Sequence, residues 1–588
     1  MAKWMVRAKR ADFKALAEKY DIDQVIAQIL VNRDIPEEEF AQFLHPSIDS
    51  MNDPGLLKDG KKAAQRIKKA IDDKESIRVI GDYDIDGICS TYILVSAIRL
   101  CGGRVSYAIP HRITDGYGLN ERLIRQAGED GVSLIVTCDN GIAAYDETVL
   151  ANELGMSVVV TDHHEIPYLE ENGIKKYIIP PAEAVVNPHQ ADCEYPFKDI
   201  CGAVVAWRVV MLLYELCGRT RKEAADDYID PAAFATIGDI MPLINENRAI
   251  VKEGLRRLGH TQNPGMNALI ERSNIDRDNI TTYHVGYILG PCFNASGRLD
   301  TATLAVNMLL QEDAAEAVRQ AAELVALNAE RKQMTEKSTT LAMQMIEEEG
   351  LYNDPVLMLY IPSLHESLCG IVAGRIKEKY YRPTFVLCDG EECVKGSGRS
   401  IPGYSMYERM NECAGLFIKF GGHPMAAGLS IKKENIPELR ERLIRNCGLN
   451  EDDLLRKIMI DVPMPIDYIN LRLLEQIETM EPYGVGNERP LFADRELMVC
   501  SLTEIGADKK YRKLNLRSDK GSSITALYFG EGESLDKSIT DRYGREALEE
   551  ARQGKPNPIR LNIVYETQIN SFRGTRTPQI LIREYEVK

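Results

Sequence analysis

Three carboxylates at alternate positions, Asp82, Asp84 and Asp86 in Gly81-Asp-Tyr-Asp-Ile-Asp-Gly87, follow directly on the apolar pair Val79-Ile80. Hard oxygen ligands at the point where a strand hands over to a helix suit a divalent cation. Two further clusters close similar runs: Asp139 in Thr137-Cys-Asp-Asn-Gly-Ile142, then Asp162, His163 and His164 in Thr161-Asp-His-His-Glu165. Asp239, in Thr236-Ile-Gly-Asp-Ile-Met-Pro242, is a fourth acid ending an apolar stretch. An Asp/His set without thiolates favours Mn²⁺ or Mg²⁺ over structural zinc, and two such ions side by side can drive phosphoryl transfer. Spacing alone leaves open which of His163 and His164 ligates and which lies nearer a scissile phosphate. An EF-hand loop also opens Asp-x-Asp-x-Asp-Gly, but its twelfth position here is Ile93, not the bidentate Glu, and a β-like run precedes it.

The elements that must position these residues alternate regularly. Strand-like Ile77–Ile80, 104–109, Leu134–Cys138 and Ser157–Thr161 are interleaved with helix-like 61–72, 90–100, 120–127 and 143–154. That is βαβ periodicity and a mostly parallel sheet, whose ligands gather at the carboxyl ends of the strands, where Asp82, Asp139 and Asp162 fall. Residues 1–55 read as a short helical lead and 56–300 as the catalytic α/β domain. Residues 301–350 are rich in Ala, Glu, Leu and Gln, with Gly only at 350, and predict one long connecting helix. A second α/β unit is expected over 351–455, with strands at 356–361 and 384–388 and a helix at 369–379. Residues 456–588 are β-rich, as in a barrel or sandwich.

The whole chain of 588 residues is long enough for roughly three or four domains. Its 44% hydrophobic and 27% charged residues are ordinary for a globular protein, and no apolar run approaches a membrane span. The N-terminus lacks a signal-peptide core, and thirteen scattered cysteines without a Cys-x-x-Cys pair indicate neither a disulfide framework nor a zinc ribbon. A reducing cytoplasm is the expected location. Net charge of −17 argues at first against a nucleic-acid partner. Metal-site acids supply part of that charge, however, and a local basic groove can coexist with an acidic exterior.

The three acidic motifs, in this order and spacing, resemble the DHH phosphoesterase superfamily. Further motifs are similar to the RecJ family of bacterial single-stranded-DNA-specific exonucleases: Pro110-His-Arg-Ile-Thr-Asp-Gly-Tyr-Gly118, Gly290-Pro-Cys-Phe-Asn-Ala-Ser-Gly-Arg298, Lys395-Gly-Ser-Gly-Arg-Ser-Ile-Pro-Gly403, Phe420-Gly-Gly-His-Pro-Met-Ala-Ala-Gly428 and Pro482-Tyr-Gly-Val-Gly-Asn487. The resemblance runs from Lys3-Trp4 to the β-rich C-terminus. It implies a DHH domain, a connecting helix, a DHHA1 domain and a C-terminal OB-fold enclosing a narrow channel, with two Mn²⁺ or Mg²⁺ ions. On the resemblance Asp82, Asp84, Asp86, Asp139, His163, His164 and Asp239 are catalytic metal ligands, and Asp162 supports them. Arg112 contacts a terminal 5'-phosphate, Arg298, Ser397 and Arg399 contact backbone phosphates, and Tyr117 and His423 are further substrate contacts. It also implies a monomer working with a single-strand-binding protein and a RecQ-type helicase. Glu366-Ser-Leu-Cys-Gly370 departs from the family's usual Gly-Val-rich turn.

Independently of the resemblance, Gly396-Ser-Gly-Arg-Ser400 offers backbone N–H groups and a guanidinium as an anion cradle. Lys509-Lys-Tyr-Arg-Lys513 with Arg517, and Phe572-Arg573 with Arg576, mix cations with aromatics as single-strand-binding surfaces do. The expected activity is 5'→3' digestion of single-stranded DNA to mononucleotides. One alternative is a phosphodiesterase of short oligonucleotides or cyclic dinucleotides, against which the β-rich tail argues. Another is a catalytically dead scaffold, against which the full set of acids and histidines argues.

Overall fold

The computed structural model describes residues 2–112, 115–171, 174–299 and 301–588. The chain forms two compact units, one of Ser47–Leu454 and one of Met1–Pro46 with Leu455–Lys588. Among the described residues no helix is long and apolar enough to cross a membrane.

The larger unit opens with helix α1 (Gly60–Asp72) and a five-stranded parallel sheet. Its strands are β1 (Ser76–Ile80), β2 (Arg104–Ala108), β3 (Leu134–Cys138), β4 (Ser157–Thr161) and β5 (Ala184–Val186), in the order β2-β1-β3-β4-β5. β1, β3 and β4 are short apolar runs buried on nearly every residue, as strands covered on both faces must be. Helix α2 (Ile85–Leu100) crosses from β1 to β2 and is apolar nearly all round, because α3 (Gly202–Leu216) and α4 (Arg221–Gly238) bury its outer side.

A π-helical turn, Val285–Leu289, leads into α5 (Gly290–Leu299). The single helix expected over 301–350 is two helices, Thr303–Leu310 and α6 (Ala314–Glu348). Between them Asp313 caps α6, accepting from the N–H groups of Ala315 at 2.8 Å and Glu316 at 2.9 Å. An Asp N-cap three residues before Glu316 starts a new helix even without Gly or Pro.

The second sheet of this unit contains β6 (Leu357–Tyr360), β7 (Thr384–Asp389), β8 (Val394–Arg399), β9 (Phe417–His423) and β10 (Ala426–Ile431), ordered β9-β10-β8-β7-β6. Helix α7 (Cys369–Tyr380) packs on it and on α6. Only β6 and β7 run parallel; the other pairs are antiparallel, with β10 returning between β8 and the edge strand β9.

The smaller unit is a closed barrel: β11 (Phe492–Ile505), β12 (Tyr511–Arg517), β13 (Ser523–Tyr528), β14 (Arg560–Phe572) and β15 (Thr575–Val587). Their order is β11-β12-β13-β15-β14, with β14 pairing back onto β11. A helical segment, α8 (Gly532–Arg552), broken at Gly544 where φ is +86° and ψ is 162°, fills the crossover between β13 and β14. This connectivity, with β13 and β15 parallel, is that of an OB-fold. The expected helical lead of residues 1–55 is corrected in two respects. It contains a strand, Lys3–Val6, paired in parallel with Lys457–Ile460, and residues up to Pro46 belong with the barrel. Ile26, Leu30 and Phe40 share one core with Leu473, Phe492 and Tyr565, and the buried Arg33 grips Asp461 through two hydrogen bonds of 2.8 and 2.9 Å.

Candidate metal centre and phosphate groove

The acids of the candidate site stand just after the carboxyl ends of strands or of α4, except Asp84 and Asp86, which stand at the start of α2. Asp82 follows β1 after Gly81 and is almost fully buried. Asp84 caps α2, its Oδ1 accepting from the N–H groups of Asp86 at 2.9 Å and Gly87 at 3.1 Å. Asp86, in the first turn of α2, turns inward instead: its two oxygens accept from Gly202 N at 2.6 Å and Ala203 N at 2.7 Å, the first amides of α3. Two orphan helix donors and the positive end of a helix dipole thus hold this carboxylate.

The loop permits this only because glycines stand at its closest approaches. A Cβ on Gly87 would lie 2.4 Å from the carbonyl oxygen of Asp82, and one on Gly202 would lie 2.7 Å from Cβ of Asp139. Asp139 itself, directly after β3, has φ of +60°. Asp162 follows β4, and Asp239 ends α4.

The two histidines have separate environments. His163 Nε2 lies 3.2 Å from Asp139 Oδ1, 3.6 Å from Asp86 Oδ2 and 3.7 Å from Asp239 Oδ2. It faces three acids, yet burial holds its pKa below the ordinary value, so it is neutral and fit to ligate. His164 Nδ1 is 2.7 Å from Asp162 Oδ1. Burial disfavours the charged ring, but the hydrogen bond to Asp162 and the surrounding acids prevail and push His164 up to about 9. Burial likewise opposes the charged form of Asp162; the His164 ring and the Ile142 N–H, 2.9 Å away, keep it below the usual carboxylate range. Asp162 therefore accepts and Nδ1 donates. Tyr117 donates its hydroxyl to the Asp139 carbonyl at 2.8 Å and lies 3.1 Å from the His164 ring nitrogens.

Three sets of ligand atoms converge within 4.8 Å: Asp82, Asp84 and Asp139; Asp86, His163 and Asp239; and Asp139, His163 and His164. Asp139 and His163 are each shared between two sets. Burial first, and mutual repulsion second, drive Asp82 and Asp139 far above the carboxylate range. The same causes raise Asp84 and push Asp239 up to about 8. Asp82 Oδ1 and Asp139 Oδ1 are buried without a hydrogen-bond partner. Converging, repelling carboxylates with orphaned oxygens form the donor set of a divalent metal pair, which the residues present fit.

Beside the acids stands a group of arginines. Arg112 lies over the Tyr83 ring at 4.8 Å, a cation–π contact. Arg298, on α5, donates Nη1 to the Ser367 carbonyl at 2.7 Å. Burial lowers Arg298 to about 9, with Arg112 and Arg331 adding repulsion. Arg399, at the end of β8, is also lowered by burial and by Arg112. Ser397 lies on the same strand, between Val386 and Gly428. His423 ends β9 opposite Ala426 and is exposed; among the described residues no side-chain contact joins it to the acids. Ile113 and Thr114 of the Pro110–Gly118 motif lie outside the described residues.

On the barrel, Arg512 is buried and bound to Asp536 at 2.8 and 3.1 Å, and Arg576 pairs with Glu475 at 2.7 Å. Arg512 is thereby removed from the expected single-strand surface, and Arg576 is engaged on it. The amides of Gly202 and Ala203, the Tyr83 ring and the Ser367 carbonyl escaped the sequence reading. Only Tyr83 carried a signal, an aromatic inside the triple-Asp motif.

The parallel sheet with its Asp-His-His edge, followed by the second α/β sheet, defines a DHH phosphoesterase fold. The DHH family, N-terminal domain, matches residues 76–236, and the DHHA1 domain matches 353–448. The RecJ OB domain matches residues 460–584. The single-stranded-DNA-specific exonuclease RecJ of Bacillus subtilis (strain 168) is 35% identical over 591 residues, spanning 100% of this chain and 71% of that protein. The Escherichia coli (strain K12) protein of the same name is 31% identical over 565 residues, 92% of each. A crystal structure of RecJ in complex with Mn²⁺ from Thermus thermophilus superposes with a TM-score of 0.80 and 25% identity, covering 99% of this chain and 79% of that one. The chain belongs to the RecJ family.

Proposed function

We propose that this protein is a metal-dependent exonuclease that digests single-stranded DNA from its 5' end to 5'-mononucleotides. The observation that carries the reading is the meeting, in one compact unit, of converging acids with buried, unpartnered oxygens and of Arg112, Arg298 and Arg399, which among the described residues pair with no acid. Asp82, Asp84 and Asp139 would hold one Mn²⁺ or Mg²⁺, and Asp86, His163 and Asp239 a second, with Asp139 and His163 common to neighbouring sets. When bound, such a pair activates water and offsets charge on the attacked and leaving oxygens.

The chain's own groups do the rest. The α3 amides fix the orientation of Asp86, and Asp162 fixes that of His164. Tyr117 ties the Asp139 main chain to the His164 ring, so that strand ends β3 and β4 move as one. Arg112, packed on Tyr83 within the metal loop, would neutralise a terminal 5'-phosphate, and Arg298, Ser397 and Arg399 would grip the phosphates beside the cut. Family membership supports the 5'→3' direction and the single-stranded substrate. On the same ground we assign it to the cytoplasm as a monomer, acting with a single-strand-binding protein and a RecQ-type helicase; His423 we assign as an outer substrate contact.

Digestion of single-stranded DNA labelled separately at each end, with Mn²⁺ and with chelator, tests the reading. Metal-dependent release of a 5'-labelled mononucleotide is expected. Cleavage restricted to dinucleotides or cyclic dinucleotides would replace it.

A further inference from the structure

Arg331, in the middle of α6, is a buried cation that no acid compensates. It is 9% exposed, and among the described residues it takes part in no ion pair. Its Nε and Nη2 both go to one neutral acceptor, Asn328 Oδ1, at 3.2 and 2.9 Å. Nη1 has no hydrogen-bond partner among the described residues, and it is not sealed from solvent.

Asn328 in turn donates to Cys292 Sγ at 3.4 Å, which locks this turn of α6 against α5. That is the helix that carries Arg298. Arg331 lies within electrostatic reach of Arg298 and of Arg375, on α7. Burial followed by the Arg375 charge lowers its pKa, so the protein spends free energy to keep this cation. A guanidinium held rigid by a neutral amide, with a free fork edge and cationic neighbours, is built for an anion from outside the fold.

We infer that Arg331 binds a backbone phosphate of the single strand, adding a contact from α6 to those of Arg298 and Arg399, so that the connecting helix is itself part of the substrate track. This rests on the exonuclease reading and adds to it a specific contact from an element otherwise regarded as a linker.

The test is binding of 5'-phosphorylated oligothymidylate to the metal-free full-length protein, followed by fluorescence anisotropy over a salt series. Wild type, Arg331→Met and Arg331→Lys are compared, and thermal unfolding is recorded for each. Arg331→Met is expected to weaken binding about tenfold at low salt. It should also reduce the slope of log affinity against log salt by about 0.7, the single-strand value for one phosphate contact. Its melting temperature should stay level or rise, because an uncompensated buried charge is gone. Arg331→Lys should keep the wild-type slope while losing affinity. A wild-type slope in Arg331→Met, with earlier melting, would show that the residue serves packing and would overturn the inference while leaving the exonuclease reading intact. Failure of wild type to bind oligothymidylate would overturn both.

Discussion

Replacing Asp239 by Asn should stabilise the metal-free protein at neutral pH and destabilise it relative to wild type once metal is supplied. In the folded chain without cations the Asp239 carboxyl is pushed up to about 8 from an ordinary 3.8, by burial and by Asp86 and Asp84. A folded value above the unfolded one means that the native state holds a proton which the unfolded chain has released. Stability is then fully present below about pH 4 and is lost as pH rises toward 8. At pH 7 the unscreened loss is about 4 kcal/mol at 1.36 kcal/mol per pH unit. Because the side chain is 29% exposed, solvent screening halves this to about 2 kcal/mol. Asn carries no such penalty. For a unit of roughly 400 residues that difference raises Tm by about 2 °C. With Mn²⁺ the sign reverses, since a ligand at about a hundred times its Kd adds ~2.7 kcal/mol to a chain that binds it fully. Calorimetry of both proteins at pH 4.5 and pH 8, with chelator and with Mn²⁺, reads all four cases. Equal melting of both proteins in chelator at pH 8, or a wild-type Tm that rises from pH 4.5 to pH 8 without metal, would refute the reasoning.

Tyr117→Phe removes the hydroxyl that joins Asp139 to His164 and is expected to lower metal affinity or turnover by about 10- to 100-fold, read by Mn²⁺ titration and steady-state digestion. Gly202→Ala forces a Cβ to within 2.7 Å of the Asp139 side chain, so turnover should fall at least as far, and a normal rate at limiting Mn²⁺ would contradict the assigned packing. Arg112→Ala should slow digestion of 5'-phosphorylated strands more than of 5'-hydroxyl strands; equal loss on both would point to a general backbone contact. Arg33→Met leaves Asp461 buried and unpaired, so urea unfolding of the barrel unit should weaken by about 3 kcal/mol.

Much of the α/β core was legible because its strands are short, largely apolar runs: β3 and β4 fall on Leu134–Cys138 and Ser157–Thr161 as periodicity placed them. The acids were legible because a strand-end carboxylate interrupts such a run abruptly. The break before α6 carries neither Gly nor Pro, and its only sequence signal is Asp313 three residues before Glu316. The pairing of Lys3–Val6 with Lys457–Ile460 joins segments too far apart for any local pattern. Asp86 shows a deeper limit. Its partners are main-chain amides, which nearly every residue possesses, so nothing in the side chains at 202 and 203 announces them except the smallness of glycine. Arg331 was hidden for the opposite reason: within a helix-forming segment an arginine reads as surface, and only the packing of α5 on α6 shows it to be buried.

The central claim is that Asp82, Asp84, Asp86, Asp139, His163 and Asp239 hold a pair of divalent ions on which cleavage depends. Isothermal titration of Mn²⁺ into wild-type and Asp139→Asn protein tests it most directly, because Asp139 belongs to two of the three converging ligand sets. Two sites in wild type, with affinity rising from pH 6 to pH 8 as protons leave, and loss of the site formed with Asp82 and Asp84 in the variant is the predicted result. Two undiminished sites in the variant, or wild-type binding that weakens as pH rises, would contradict the account.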